Sequence, residues 1–379
     1  MSTLIWQDAS GTWNSSANWV RTSDGANVSP ASGDTCIVGY GSQNITGSDE
    51  SATELLRVVW GEGFTGNVGA SGSRLKLSAD RLEWAALSDA AWIDWQNTHN
   101  YTDLAIDASD DTKITSAARS FVADDVGKKI ELTGGTGFTT GTYTISSVAG
   151  GAAFLDSAVG TTSSTGGTGF CYLKAYIKQT KTIDADEITT KSLHLRLFGD
   201  AACEDVKVVG GYVSLSVTVG DDAVWLGVIQ LGGTLVHIDG IGGTPLATTL
   251  DCLAGTIILQ GESGISSSAT INIRSGAIFE HHTEPTTFPV TGPIVVVAGG
   301  TLNEWDSAMP IGNLGGEAGT VDFSVVKQPF TVQLCSMIDA DMYITNGLRQ
   351  PNFATPIKWR GTGRLHHAGN INTTIEYVE

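Results

Sequence analysis

The sequence predicts an all-β fold: a right-handed parallel β-helix with about 22 residues per coil and a small inserted β domain. Three observations support this fold class. A Gly-centred phrase recurs through the C-terminal half, its residues alternate with period two, and the chain carries 47 glycines but only 9 prolines. A period in the twenties marks coils that cannot bury their apolar face alone, and period-two alternation identifies strands.

The phrase reads apolar-x-apolar-x-small-Gly-x-apolar. Its five copies are Val206–Val213, Val228–Leu235, Leu250–Ile257, Ile271–Ile278 and Val295–Leu302. The first and last residue of each copy is aliphatic, so we expect these ten side chains to stack inward as a continuous core. The third residue is apolar in four copies and is Gln230 in the other. We expect the glycine at a corner of the coil, where positive φ is required.

Composition excludes several classes of function. With 41% apolar residues the chain can bury a large core, so it is not expected to be disordered. The net charge of −19 argues against electrostatic binding to nucleic acid or to an anionic membrane. The N-terminus has no basic and apolar signal-peptide regions, and no stretch approaches transmembrane length.

The cysteines are odd in number and widely spaced, with no C-x-x-C pair. They are Cys36, Cys171, Cys203, Cys252 and Cys335. We expect them to be small buried hydrophobic residues and not a disulfide framework or a zinc site. No calcium-binding, phosphate-binding or H-E-x-x-H pattern is present, so the sequence predicts no metal and no other cofactor.

Five segments follow one another along the chain. They are an N-terminal cap (1–50), first irregular coils (51–106), an inserted small β domain (107–173), regular coils (174–320), and C-terminal coils with a closing segment (321–379). The cap carries Trp6, Trp13 and Trp19, whose indoles are expected to cover the apolar end of the solenoid.

The cap and the insert carry a resemblance. The run from Gly11-Thr12-Trp13 through Asn18-Trp19 to Gly33-Asp34-Thr35 resembles the opening of many bacterial and phage β-helix proteins. The segment 118–169 resembles a small β module of phage tail and fibre proteins and of some secreted pectate-lyase-like proteins. The chain is thus similar to bacteriophage β-helix virion proteins, which implies a structural protein made in the host cytoplasm and located on the virion. Within that group we expect a trimeric capsid decoration (cement) protein, with itself, the major capsid protein and host-surface polysaccharide as candidate partners.

Apolar residues also occupy positions expected to face outward. They are Val209, Ile229, Leu231, Leu253, Val296 and Ala298. A solvated face of a β-helix is usually more polar, and an apolar outer strip marks an interface. This strip would suit the packing of the parallel homotrimers that the resemblance implies.

One cluster could support catalysis. Glu280 and Glu304 each lie four residues after a repeat glycine, and His282 and Asp306 lie two residues further on. Adjacent rungs are about 4.8 Å apart, so the carboxylates could act as acid and nucleophile on a glycosidic bond. Acidic residues at turns are also expected by chance in a chain with 40 Asp and Glu. The sequence therefore favours a non-enzymatic protein.

Two alternatives stay open. The first is a receptor-binding tail spike or fibre with polysaccharide depolymerase activity, which Glu280, Glu304 and Asp306 would have to serve. The second is a bacterial surface adhesin, which would need a signal or anchor outside this sequence.

Overall fold

The protein is described here by a computed structural model covering residues 1–8, 10–96, 100–178, 193–197, 202–210, 212–217, 224–225, 228–232, 235–239, 249–261, 269–283, 293–305, 310–324, 330–344, 351–367 and 373–378. Within these ranges the only helices are two single 3₁₀ turns, η1 (Ser16–Asn18) and η2 (Ala123–Asp125). The strands form a parallel solenoid of about 11 turns with about 22 residues per coil, which confirms the predicted β-helix.

The strands fall into three groups along the chain. The first group is β1 (Thr3–Trp6), β2 (Gly11–Thr12), β3 (Trp19–Arg21), β4 (Thr35–Gly41), β5 (Ile45–Thr46), β6 (Asp49–Phe64), β7 (Leu75–Trp84) and β8 (Ala91–Gln96). The insert holds β9 (Asn100–Ile106), β10 (Lys113–Thr115), β11 (Lys129–Gly134), β12 (Gly141–Ala149), β13 (Ala152–Leu155) and β14 (Thr165–Cys171). The solenoid continues with β15 (Leu173–Lys178), β16 (Leu193–Leu197), β17 (Ala202–Gly210), β18 (Tyr212–Val217), β19 (Val224–Trp225), β20 (Val228–Leu231), β21 (Leu235–Asp239), β22 (Thr249–Cys252), β23 (Gly255–Gly261), β24 (Thr270–Arg274), β25 (Ala277–Thr283), β26 (Ile294–Ala298), β27 (Thr301–Trp305), β28 (Ile311–Glu317), β29 (Thr320–Phe323), β30 (Thr331–Ile338), β31 (Asp341–Ile344), β32 (Asn352–Phe353), β33 (Ile357–Arg360), β34 (Leu365–His367) and β35 (Ile375–Tyr377).

Successive coils build two parallel sheets around one apolar core. Sheet 1 runs β1-β4-β6-β7-β15-β17-β20-β22-β24-β26-β28-β30-β33-β35. Sheet 2 runs β7-β8-β16-β18-β21-β23-β25-β27-β29-β31-β34. Strand β7 belongs to both sheets, because its first half pairs with β8 and its second half pairs with β15.

Tryptophans close the N-terminal end, where β3 pairs antiparallel with β1. Trp6, Trp13 and Trp19 are at most 1% exposed, and the ring of Trp19 lies edge-on to the other two at 5.1 and 4.7 Å. The column continues inward, since Trp13 lies 5.7 Å from Trp60 and Trp60 lies 5.2 Å from Trp84. These rings fill the first coils with large side chains in place of the aliphatic columns that follow.

Short corners join sheet 1 to sheet 2 in the regular coils. Ser275 and Gly276 connect β24 to β25, and Gly299 and Gly300 connect β26 to β27. Gly276 has φ 87° and Gly299 has φ 76°, which confirms that repeat glycines turn the corner. In the last copy the left-handed residue is Gly299, one position before the glycine we expected. Gly300 is needed for space, because a Cβ there would lie 2.4 Å from the carbonyl oxygen of Arg274.

The register of sheet 1 explains why Gln230 interrupts an apolar column. Leu231 and not Gln230 pairs with Val208 of the preceding coil, and Leu231 is fully buried. Ile229, and not Val228, is the residue that pairs with the buried Val206, and the side chains of both Val228 and Ile229 lie outside the described residues. The second copy of the phrase is shifted by one residue relative to its glycine. Burial of the leucine decides the register, since a one-residue slip exchanges the two faces of a strand.

Sheet 2 departs from the predicted columns at two positions. Leu235 and Ile278 were expected inside, but Val236 and Phe279 are the fully buried residues that pair in register with Ile257. Ile278 is 38% exposed. Phe279 follows the core residue Ile271 by eight positions, whereas Ile257 follows the paired core residue Leu250 by seven, and this one extra residue places the phenylalanine in the core.

The insert forms a closed six-stranded antiparallel barrel in the order β10-β13-β12-β11-β14-β9. Its core is separate from that of the solenoid and is centred on Leu104, Ile130 and Ile145. The barrel begins at Asn100, before the predicted start at 107, because β9 alternates like a solenoid strand and period alone cannot separate them. Strand β7 pairs directly with β15, so the solenoid is continuous behind the insert.

Candidate functional site

The predicted acidic cluster lies on the outer surface of sheet 2. Glu280 on β25 pairs in register with Glu304 on β27, so the two strand positions are neighbours as predicted. The Asn303 amide donates to Glu280 Oε1 at 2.8 Å, and His282 Nε2 lies 3.4 Å from Glu280 Oε2. The side chain of Glu304 and all of Asp306 lie outside the described residues.

The two adjacent histidines have opposite environments. His281 faces the core, is fully buried, and stacks on Trp305 with ring centroids 4.2 Å apart. Burial, with a smaller contribution from the neighbouring His282, lowers the pKa of His281 to about 3. Its imidazole is therefore neutral at physiological pH. Only His282 is on the same face as Glu280 and can take part in its chemistry.

The cluster has the residue types that contact a sugar. A carboxylate, an amide and an imidazole offer hydrogen-bond acceptors and donors on one surface. Strand positions on adjacent rungs are about 4.8 Å apart, close to the roughly 5 Å that separates the carboxyl groups of retaining glycosidases. The arrangement is compatible with binding of a glycan and resembles, in spacing alone, the carboxylate pair that hydrolysis requires.

The outer face of sheet 1 carries a second candidate site, which we call the outer patch. It consists of Ile294, Val296, Ala298, Leu334 and Ile338. Ile294 is 41%, Leu334 54% and Ile338 39% exposed. All five side chains follow the outward positions of β26 and β30, two strands separated by β28.

The apolar side chains of the outer patch form two ridges, one on β26 and one on β30, and a trough over β28 separates them. The β28 residue between Val296 and Ser336 is Gly315, which has no side chain. Beside it a groove of about 370 Å³ is lined by Asn313, Leu334, Cys335, Ser336, Thr355, Pro356, Lys358 and Glu376. The two ridges are about 10 Å apart. The outward residues of β28 between them are Asn313, Gly315 and Glu317, so the floor of the trough is polar at both ends and open only at the glycine.

The structure corrects part of the predicted interface. Val296 and Ala298 belong to the outer patch, Val209 is 37% exposed, and Leu253 is partly exposed at a corner. Leu231, predicted outward, is fully buried because of the register shift in its coil. Ile229, also predicted outward, holds a register position whose neighbours Val206 and Leu250 are buried, and its side chain lies outside the described residues. Sequence reasoning missed Ile294, Leu334 and Ile338, although all three lie at outward positions of their strands.

Sequence reasoning also missed a buried charge cluster between the barrel and the solenoid, which we call the junction network. It consists of Asp80, Arg119, Asp125 and Lys128. Asp80 lies on solenoid strand β7, whereas the other three belong to the insert. Burial disfavours the Lys128 ammonium, yet the facing carboxylates outweigh that cost and raise its pKa. Nothing in the sequence links residues this far apart.

The cysteines behave as predicted: all five are free and buried. Among the described residues, no three His, Cys, Asp or Glu side chains converge to hold a metal ion. No helix in the described ranges has the length and hydropathy to span a bilayer. No protein-family model matches the chain, and no curated protein is detectably similar to it in sequence.

Proposed function

We propose that the chain is a structural protein of a bacteriophage particle, which assembles as a parallel homotrimer and decorates the outer surface of the capsid. The observation that carries the proposal is the outer patch, with Leu334 54% exposed. Several exposed apolar side chains grouped on one face of a protein surface mark an interface, and here they form two ridges on either side of β28. The resemblance of the cap and the insert to β-helix virion proteins supports the capsid as the partner.

The solenoid suits this role physically. Its core runs through about 11 turns, so the molecule is a stiff support whose length grows with the number of coils. Three parallel copies would present the same surface three times. Trivalent attachment multiplies weak contacts with a capsid shell, because the second and third contacts form at a high effective concentration.

The oligomeric state tests the trimer. Leu334→Glu places a charge in the outer patch, and we expect it to convert the trimer to a monomer in mass photometry at micromolar concentration. Ile278→Glu is the control, since it places the same charge at an exposed apolar residue of sheet 2, 38% exposed, and should leave the trimer intact. A monomeric wild type, or equal dissociation by both variants, would contradict the proposed interface.

Co-sedimentation with capsids stripped of accessory proteins tests the partner. The trimer should rebind to the shell in a saturable, stoichiometric manner, and Leu334→Glu should bind more weakly because trivalency is lost. A stable trimer that ignores capsids would exclude the decoration role and would favour a spike or an adhesin.

A tail-spike depolymerase is the second candidate, and the register pairing of Glu280 with Glu304 favours it specifically. If it is correct, the wild type should depolymerise host capsule and Glu280→Gln should abolish cleavage without changing the fold. Thr256→Ala, at an outward position of neighbouring strand β23, provides the control. Wild-type protein that leaves host capsule intact would exclude this candidate.

A further inference from the structure

The chain path alone leaves the orientation of the barrel undetermined. The insert leaves the solenoid after β8 and returns at β15, so both connections lie at one end of the barrel. Strand β7 pairs with β15 through Leu82 and Ala175, which shows that the solenoid closes without the insert. Modules joined in this way are expected to move relative to one another unless their interface holds them.

The junction network supplies such an interface. Asp80 of the solenoid accepts hydrogen bonds from Arg119 Nη2 at 2.7 Å and from Lys128 Nζ at 3.0 Å. Asp125 of the barrel accepts from Lys128 at 2.7 Å and from Arg119 at 3.2 Å. Arg119 also donates to the hydroxyl of Tyr101 at 3.0 Å. The four charged groups thus form a closed arrangement in which each carboxylate faces both cations.

All four side chains are withdrawn from solvent. The exposed fractions are 1% for Asp80, 0% for Asp125, 4% for Lys128 and 13% for Arg119. Two cations face two carboxylates, so the network is balanced only when Asp80 is in place. The barrel by itself would hold Arg119 and Lys128 against the single carboxylate of Asp125, and an uncompensated buried charge is strongly unfavourable.

We propose that Asp80 is a positioning residue that holds the insert barrel in one fixed orientation on the solenoid by completing the charge balance of the junction network. A second contact also joins the solenoid to the barrel: Lys174 of β15 donates to the carbonyl oxygen of Gly127 at 3.0 Å. The barrel and the solenoid then act as one rigid body. Whatever surface the barrel presents is displayed at a set angle, independently of the trimer proposed above.

The distance between the two parts tests this proposal directly. Nitroxide labels introduced by Ser71→Cys on the solenoid and Thr162→Cys on the barrel occupy exposed positions, while all five native cysteines are at most 4% exposed and should not react. In the full chain we expect a narrow distance distribution by pulsed electron paramagnetic resonance. It should remain narrow in molar sodium chloride, because salt screens buried charges weakly.

Asp80→Asn should broaden this distribution, since it keeps the shape of the side chain and removes the balancing charge. Amide exchange of the segment 117–128 should rise at least tenfold, while the barrel and solenoid cores stay protected. Asp49→Asn is the matched control, because it breaks the ion pair between Asp49 and Lys76 on the same solenoid. Both side chains of that pair are exposed, Asp49 by 56% and Lys76 by 42%. It should change neither measurement.

A second variant separates charge balance from a lost hydrogen bond. Lys128→Met in the Asp80→Asn background leaves Arg119 facing Asp125 alone, so the network is balanced again and the distribution should narrow. If Asp80→Asn does not fold, the double variant should still fold, and the recovery of folding then replaces the distance distribution as the quantity compared. The proposal is overturned if Asp80→Asn keeps a narrow distribution, or if the double variant is as broad or as unstable as the single one.

Discussion

At the residue scale, position within a strand decides the chemistry of identical side chains. His281 and His282 are adjacent, yet one stacks on Trp305 in the core and the other lies beside Glu280 on the surface. A strand turns successive side chains to opposite faces, so the register of β25 alone assigns these environments. A buried neutral imidazole has a direct consequence for stability against acid.

We expect the free energy of unfolding to fall as pH drops from about 6.5 towards 3. The folded-state pKa of His281 is lowered to about 3, so the unfolded chain binds its proton first and acid favours unfolding. The stability is fully present above pH 6.5, and about 3 kcal/mol of it should be lost by pH 4.5, at 1.36 kcal/mol per pH unit. Urea titrations across this range measure it.

His281→Phe should remove that part of the pH dependence, because no titrating group remains at the buried position. His366→Phe, at an exposed position of β34, is the control and should leave the pH profile of the wild type unchanged. An unaltered profile in His281→Phe would show that other groups govern acid unfolding.

At the scale of the element, the repeat glycine and the apolar column are separate signals. The glycine fixes where the coil turns, but inter-strand pairing fixes which residues face the core. The two agree at Val213, Ile257 and Leu302, and they differ by one residue at Val236 and Phe279. At Phe279 the larger of the two neighbouring residues is buried, whereas at Val236 the smaller one is buried and Leu235 is partly exposed. Pairing between coils therefore determines the register.

Two adjacent residues test this assignment. Phe279→Ala removes a fully buried ring and should lower the free energy of unfolding by about 3–5 kcal/mol. Ile278→Ala removes a side chain that is 38% exposed and should change it by about 0.5 kcal/mol or less. Denaturant midpoints of the two variants compare them directly. If Ile278→Ala lowered the free energy of unfolding more than Phe279→Ala does, the register that the glycine spacing predicts would be supported instead.

At the scale of the whole molecule, the solenoid and the barrel are two cores in one chain. The coil before the insert and the coil after it are hydrogen-bonded neighbours through β7 and β15. Elsewhere the connections from sheet 2 back to sheet 1 have between four residues (Leu197 to Ala202) and ten residues (Thr283 to Ile294). The insert therefore replaces a short connection without interrupting the stack of coils.

We expect a chain in which a five-residue linker replaces residues 97–172 to keep the solenoid. Asp80→Ser should accompany the deletion, because Asp80 would otherwise lose both cations of the junction network. Circular dichroism and amide exchange of the strands after β15 measure the outcome. A matched chain with five residues deleted from the core of β24 should fail to fold. Collapse of the insert deletion to an unfolded state would show that the barrel is required for the solenoid to form.

The sequence by itself determined the fold class. The recurring phrase, its period-two alternation and its glycines are local signals, and they predict parallel coils because each coil must bury its apolar face against the next. It also placed Glu280 beside Glu304, since both follow a repeat glycine by the same number of residues. The burial of the cap tryptophans and of the five cysteines follows from the same local chemistry.

Only the tertiary structure decided the register, the outer patch and the junction network. A one-residue slip moves Leu231 inside and Gln230 outside, and pairing between coils, not the phrase itself, sets that slip. The ridges of the outer patch lie on β26 and β30, and they come to flank β28 only after the coils have stacked. Asp80 reaches Arg119 and Lys128 because the barrel folds back on β7, and electrostatic pairing across such distances in sequence leaves no local pattern.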